Sequence, residues 1–134
     1  MSYIGLVSDD DCGLLAAIAN AHSGCVLLTE ELRQIGFKLS TGDVERRLYP
    51  HFLSHHLGSD LHDCPSVDRN TVLKNGNVIT IEPGCYVPRD SSFPSAFHGL
   101  GVRIEDAVGF TPDGPLVLSA HAAKEVVDVE GACC

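Results

Sequence analysis

The chain has no tryptophan, a single methionine and few bases: nine Lys and Arg stand against 18 Asp and Glu, for a formal net charge of −9. That acidic balance argues against nucleic acid and anionic membranes as partners, since both repel it. No apolar run approaches the roughly 20 residues of a membrane span. The first residues carry no early Lys or Arg and soon reach Asp9-Asp10-Asp11, which fits neither a secretory signal nor a basic transit peptide. No Cys-x-x-Cys pair occurs among the six cysteines, so a structural zinc site is not expected. Cys12, Cys25, Cys64 and Cys85 are scattered and Cys133 stands beside Cys134, a pattern read as reduced thiols in an intracellular protein. Cys-Cys alone does not meet the prenylation pattern. Repeats and low-complexity segments are lacking too.

What is present suits one soluble domain. A length of 134 residues can bury a core, and 44% hydrophobic with 20% charged residues is ordinary for a globular chain. Tyr3 to Val7 reads as a short strand, and Leu14 to Ala21 as a helix preceded by carboxylates that suit its N-terminal dipole. Ser23-Gly24 is expected to end it. Leu27 to Ile35 reads as an amphipathic helix with Leu28, Leu32 and Ile35 on one face and Gly36 as its stop. Later the signal changes to strands. Val78 to Glu82 is β-branched and stopped by Pro83-Gly84; Cys85 to Val87 is short, and Val102 to Phe110 is longer. A turn over Thr111 to Pro115 lets Leu116 to Leu118 close an antiparallel hairpin. The fold class is α+β.

The densest chemistry lies in His51 to Asp63, which holds four of the seven histidines and follows Pro50 as an extended segment. Such a cluster is costly in a core unless it binds something or pairs internally, and on composition alone a site and a hydrogen-bonded surface segment are equal readings. Two glutamates tip the balance. Period-two geometry puts Thr80 and Glu82 on one face of their strand, and Arg103 and Glu105 on one face of theirs. Arg103 beside Glu105 would keep that carboxylate ionised, as a metal ligand must be. His55, Glu82 and Glu105 are therefore candidate ligands of mixed N/O type, suited to manganese, cobalt, iron or zinc rather than to a dedicated calcium site.

Three motifs then stand in order: His51-x-x-x-His55-x-x-Gly58-x-Asp60-x-His62-Asp63, Gly76-x-Val78-Ile79-Thr80-Ile81-Glu82-Pro83-Gly84-x-Tyr86, and Gly99-x-Gly101-Val102-Arg103-Ile104-Glu105-Asp106. Together they resemble the aminopeptidase P family, the Xaa-Pro aminopeptidases of the pita-bread metallopeptidases. Leu48-Tyr49-Pro50-His51-Phe52-Leu53-Ser54-His55 is similar to its mitochondrial, intermediate-cleaving branch. The resemblance runs from about Leu28 to Glu130. It implies a dinuclear centre, usually manganese, that activates a water to attack the bond before proline. Matched by position, His55, Glu82 and Glu105 would be metal ligands, with Glu82 also the base. His51 and His62 would bind the substrate and steady the attacked carbonyl, and Arg103 would stand behind the ligands. The substrate implied is a peptide with proline at its second position.

The resemblance is partial. The family centre has five protein ligands, and the two aspartates of the other half of the domain, in a segment like Asp-x-Gly followed by Ser-Asp-x-Thr-Arg, have no counterpart in this sequence. The reading is a divergent segment over residues 1–26 and the C-terminal half of a catalytic domain over residues 27–134. Pita-bread domains carry a curved antiparallel sheet with helices on its outer face. Half of one leaves apolar sheet to cover, by the N-terminal residues or by a homo-oligomer. At most one well-held divalent ion and impaired turnover are expected, in mitochondria by branch or in the cytoplasm by the lack of a transit signal. The rival is a non-catalytic binding module of the same fold for peptides or proteins. His56 is expected to be a neighbour rather than a ligand, His22 and His121 to be surface residues, and His98 carries no assigned role.

Overall fold

The computed structural model describes residues 21–67 and 71–133. The strand expected from Tyr3 and most of the helix expected from Leu14 fall outside that set. The first described helix, α1 (Ala21–Gln34), runs straight through Ser23-Gly24, so those residues do not break it. A glycine inside a helix costs only about 1 kcal/mol, and the burial of Cys25 and Leu32 on one face exceeds that. Leu28 packs beside them, whereas Ile35 lies past the last turn and is 53% exposed, off the face expected for it. Gly36 does stop the helix, at φ +97°. Its N–H donates to Arg33 O at 3.1 Å and that of Phe37 to Leu32 O at 3.1 Å, which satisfies two orphan carbonyls and turns Phe37 into the core.

A short helix, α2 (Thr41–Asp43), is capped by Asp43, whose carboxylate accepts from the N–H and hydroxyl of Ser40. The chain widens into one further turn, Val44–Leu48, closed by Tyr49 N–H donating to Val44 O five residues back at 2.8 Å. This turn drives Val44, Leu48 and Tyr49 into the main core, where they meet Cys25, Phe37 and Leu53. Burial raises the Tyr49 hydroxyl far above its ordinary value and raises the Cys25 and Cys85 thiols, so all three stay protonated at neutral pH. Cys25, Cys64, Cys85 and Cys133 are free thiols.

The strands form two sheets. β1 (Val78–Ile81), β4 (Asp106–Thr111) and β5 (Gly114–Val117) lie in the order β1-β4-β5, and β2 (Gly84–Tyr86) pairs with β3 (Gly101–Arg103); every pairing is antiparallel. The expected hairpin is present as β4-β5, turning at Gly114 with φ +113°. The single strand expected over Val102 to Phe110 is instead two strands in two sheets. The partner strand supplies the reason. Ile81 faces Asp106 and Gly84 faces Arg103, so one register continues across the gap and would set Glu82 opposite Glu105. Pro83 has no N–H to give the ladder there. Only Ile104 N–H reaching Pro83 O at 3.1 Å bridges the opened rung.

Along the free edge of β1 lies the histidine segment. Leu57 N–H donates to Val78 O, Thr80 N–H to His55 O and Glu82 N–H to Leu53 O, at 3.0, 2.9 and 2.8 Å, the ladder of an extended antiparallel neighbour. Beyond β5, Lys124 folds back, its ammonium 3.0 Å from Asp106 Oδ1 and donating to Ser119 O at 2.8 Å. Ser119 Oγ also donates to Asp106 and accepts from Ala107 N–H, so the start of β4, next to Glu105, is pinned from outside. A last helix, α3 (Val126–Ala132), buries no residue. Among the described residues no helix is long and apolar enough to cross a membrane.

Candidate metal centre

Three segments converge where the rung opens. Glu82 leaves the end of β1 only 7% exposed, Glu105 stands opposite between β3 and β4, and His55 approaches along the β1 edge. One ligand atom from each lies within 4.8 Å of the others. Like charges facing each other across a sheet repel, and Arg103 sits between them. Its guanidinium is 3.5 Å from Glu82 Oε2 and 3.8 Å from Glu105 Oε2.

The donor set fits a divalent cation. His55 Nδ1 lies 2.9 Å from His56 O, a carbonyl that can only accept, so the ring N–H on that side donates to it and Nε2 faces the site. Nε2 lies 3.2 Å from Glu82 Oε1, a separation bridged by a proton in the metal-free chain or by a cation. A ring N–H bonded to a backbone carbonyl is the usual support of a metal-binding imidazole. Arg103 is 49% exposed and offsets only part of the combined carboxylate charge.

Of the other candidates, His62 meets the trio at His55. The His62 ring meets the His55 ring edge-on, centroids 4.5 Å apart, and reaches it because the chain turns back at residues 58–63, where Asp63 N–H donates to His56 O. Asp63 holds the turn from inside. Its carboxylate accepts from Cys64 N–H at 2.7 Å and lies so close to Gly58 that any Cβ there would strike it. The Cys64 N–H, helped by those of Asp60 and Ser59, holds the Asp63 carboxyl below its ordinary range. A depressed value means that the bonds stabilise the turn fully above the unfolded pKa and are lost as pH falls through the folded one. Amide shifts of Ser59, Asp60 and Cys64 followed from pH 6 to pH 2 should therefore titrate with a midpoint below 3.8, the value of an unperturbed aspartate. A midpoint at or above that value would show that the carboxylate does not hold the turn.

His51 lies deeper, edge-on to the rings of Tyr49 and Tyr86 with centroids at 4.5 and 5.5 Å. Its Nδ1 is 2.8 Å from Phe52 O, while Nε2 is buried and finds no hydrogen-bond partner among the described residues. A Cβ at Gly84 would come within 3.0 Å of that Nε2 and 3.1 Å of the Tyr86 hydroxyl, so a side chain there would have to push these groups aside by a few tenths of an ångström. His56 contributes backbone bridges to Ile79 and Asp63. His98 is half-buried with Nε2 3.0 Å from Phe93 O, which makes it part of the packing. His121 is exposed. Sequence reasoning placed Thr80 on the face of Glu82 but assigned it nothing. In the fold its hydroxyl accepts from His55 N–H and donates to Glu82 Oε1, both at 3.1 Å. Tyr49 and Tyr86 form the walls of His51, which no spacing in the sequence signals.

Comparisons with known proteins place the chain in a family. The model of metallopeptidase family M24 matches residues 14–112. Xaa-Pro aminopeptidase 3 of Rattus norvegicus is 46% identical over 128 residues, covering 91% of this chain and 25% of the relative. Intermediate cleaving peptidase 55 of Saccharomyces cerevisiae is 41% identical over 127 residues, covering 90% and 25%. The crystal structure of Icp55 from Saccharomyces cerevisiae superposes with a TM-score of 0.72 at 46% identity, over 82% of this chain and 28% of that one. The chain thus spans about a quarter of the length of the curated relatives it matches. Its α+β architecture is part of the pita-bread fold of the aminopeptidase P group. With three motifs in order, a shared fold and a family model matched over most of its length, the chain belongs to metallopeptidase family M24.

Proposed function

We propose that this chain forms part of a metal-dependent aminopeptidase of the Xaa-Pro type, residues 27–134 being the C-terminal half of its catalytic domain. The observation that carries the reading is the convergence of His55, Glu82 and Glu105 from three segments to within 4.8 Å. These residues would hold a divalent ion, manganese being the choice that the family resemblance favours for a mixed N/O set. Bound there, the ion supplies Lewis-acid polarisation and a water of lowered pKa. The residues of the chain do the remainder. Glu82 would accept a proton at its carboxylate, where its low exposure keeps bulk solvent from competing. Arg103, 3.5 and 3.8 Å from the two carboxylates, helps to orient them. His51 and His62 would bind the peptide and donate toward the carbonyl oxygen as negative charge grows on it. The substrate is a peptide with proline second, and the compartment that of the intermediate-cleaving branch, the mitochondrion. Three ligands suffice for one ion, so modest affinity and impaired turnover are the expectation for the chain alone.

A second reading keeps the fold and drops the chemistry. β3 is exposed throughout, and beside it Leu100 and Ile104 are 59% and 46% exposed, a surface that suits a peptide- or protein-binding module or a second copy of the chain. Manganese titration by calorimetry separates the two. The wild type and a His55→Ala, Glu105→Ala double variant are titrated, with Xaa-Pro peptide hydrolysis followed in parallel. Binding that the double variant loses, together with turnover in the wild type, supports the enzyme. Binding without turnover leaves a relic site. No binding by the wild type overturns the metal reading and puts the binding module first.

A further inference from the structure

We propose that Thr80 is a positioning residue for the metal ligands: its one hydroxyl fixes the backbone of His55 relative to the carboxylate of Glu82. The proposal rests on the metal reading of His55, Glu82 and Glu105.

The ladder shows why this threonine differs from a strand filler. In the hydrogen-bonded pairs of an antiparallel ladder, facing residues can exchange two main-chain bonds, and each of the three rungs here makes one. His55 and Thr80 face each other, and Thr80 N–H does donate to His55 O at 2.9 Å. The return bond runs instead from His55 N–H to Thr80 Oγ1, at 3.1 Å. A side chain has taken the place of a carbonyl in the ladder. Because that oxygen accepts from an N–H, its own proton is free to point elsewhere, and it goes to Glu82 Oε1 at 3.1 Å. A carboxylate can only accept there, so the direction of the chain of bonds is settled: His55 N–H to Thr80 hydroxyl to Glu82.

The oxygen that Thr80 reaches is the one facing His55 Nε2 at 3.2 Å, while Arg103 takes the other at 3.5 Å. Rotation of the Glu82 carboxylate is thus opposed at both ends. Thr80 is 1% exposed, so water does not replace the hydroxyl easily. Outer partners that orient metal ligands are typically worth 10- to 100-fold in metal affinity. Were Thr80 only filling the sheet, valine would serve as well, with the same branching and a strong preference for strands.

The test uses the full chain with Thr80→Val and Thr80→Ser. Manganese affinity is measured by calorimetry, the metal-free unfolding midpoint by urea, and the His55 amide by hydrogen exchange. Thr80→Val is expected to bind manganese about 10- to 100-fold more weakly and to lose protection at His55. Thr80→Ser keeps the hydroxyl and should retain affinity and protection even where loss of the methyl lowers its midpoint. Affinity that follows the hydroxyl supports the proposal. Wild-type affinity in Thr80→Val overturns it, as does a loss in both variants that merely follows their unfolding midpoints. A wild type that binds no manganese fails earlier: it overturns the metal reading, and this role with it.

Discussion

Glu82→Gln is expected to remove manganese binding while leaving the metal-free chain at least as stable as before. The two halves of that result have one origin. Glu82 is the least exposed of the three candidate ligands and the one that touches all the other parts of the site: His55, Thr80 and Arg103. An amide is a poor ligand for a hard divalent ion and brings no negative charge, so the loss should exceed the roughly 10- to 100-fold that an outer partner contributes. Without metal the sign reverses. The carboxylate is desolvated and faces Glu105 across an opened rung, with only the half-exposed Arg103 to offset the repulsion. Glutamine keeps an acceptor for Thr80 and removes one of the two like charges. Calorimetry with manganese and urea unfolding without it check both halves. Retained binding would place the ion elsewhere, and a lowered midpoint would make the Glu82 charge a structural partner of Arg103 instead.

Leu48→Ala should have the largest effect on stability. Leu48 is fully buried at the end of the widened turn, within the cluster that joins α1 to the histidine segment. Truncating a buried leucine costs about 2–5 kcal/mol through lost transfer energy and the cavity left behind. The closed turn around it leaves little freedom to collapse, so a value near the top of that range is expected. Against a total of about 5–15 kcal/mol for a folded domain, that is enough to unfold much of the population near physiological temperature. Urea unfolding measures it. Val127→Ala in α3, where the side chain is 74% exposed, is the control and should stay within about 0.5 kcal/mol of wild type. Equal losses in the two variants would mean that the chain has no single dominant core.

The metal trio could be read from sequence because its signals are local. A histidine-rich segment, a glutamate closing a β-branched strand and an arginine two residues before another glutamate each stand out by themselves. The fold was less legible where the deciding residue lies on another segment. Nothing between Val102 and Phe110 forecasts a break at Ile104-Glu105, because its cause is Pro83 on the facing strand. Helix α1 passes Ser23-Gly24 because tertiary burial outweighs propensity. Ile35 fits the helical period but lies beyond Gln34, where the period no longer applies. The role of Thr80 needed the pairing of residues 53–57 with β1, which no spacing within either segment encodes.

The unbroken register across the opened rung decides which changes in chain length this scaffold can survive. Val87 and Leu100 clasp the base of the loop that joins β2 to β3, with Val87 N–H donating to Leu100 O and Gly99 N–H to Val87 O, both at 2.8 Å. Residues added between Pro88 and His98 would leave the strands in step, provided that Phe93 keeps its place in the core and Asp90 its pairing with Arg47. A single residue added between Ile81 and Gly84, or removed between Arg103 and Asp106, would shift one arm by a position and send its carboxylate to the opposite face. The stretch from Glu82 to Gly84 and its counterpart from Arg103 to Glu105 therefore form the part of the chain where insertions and deletions are forbidden, while the loop between them can change length wherever Phe93 stays in the core.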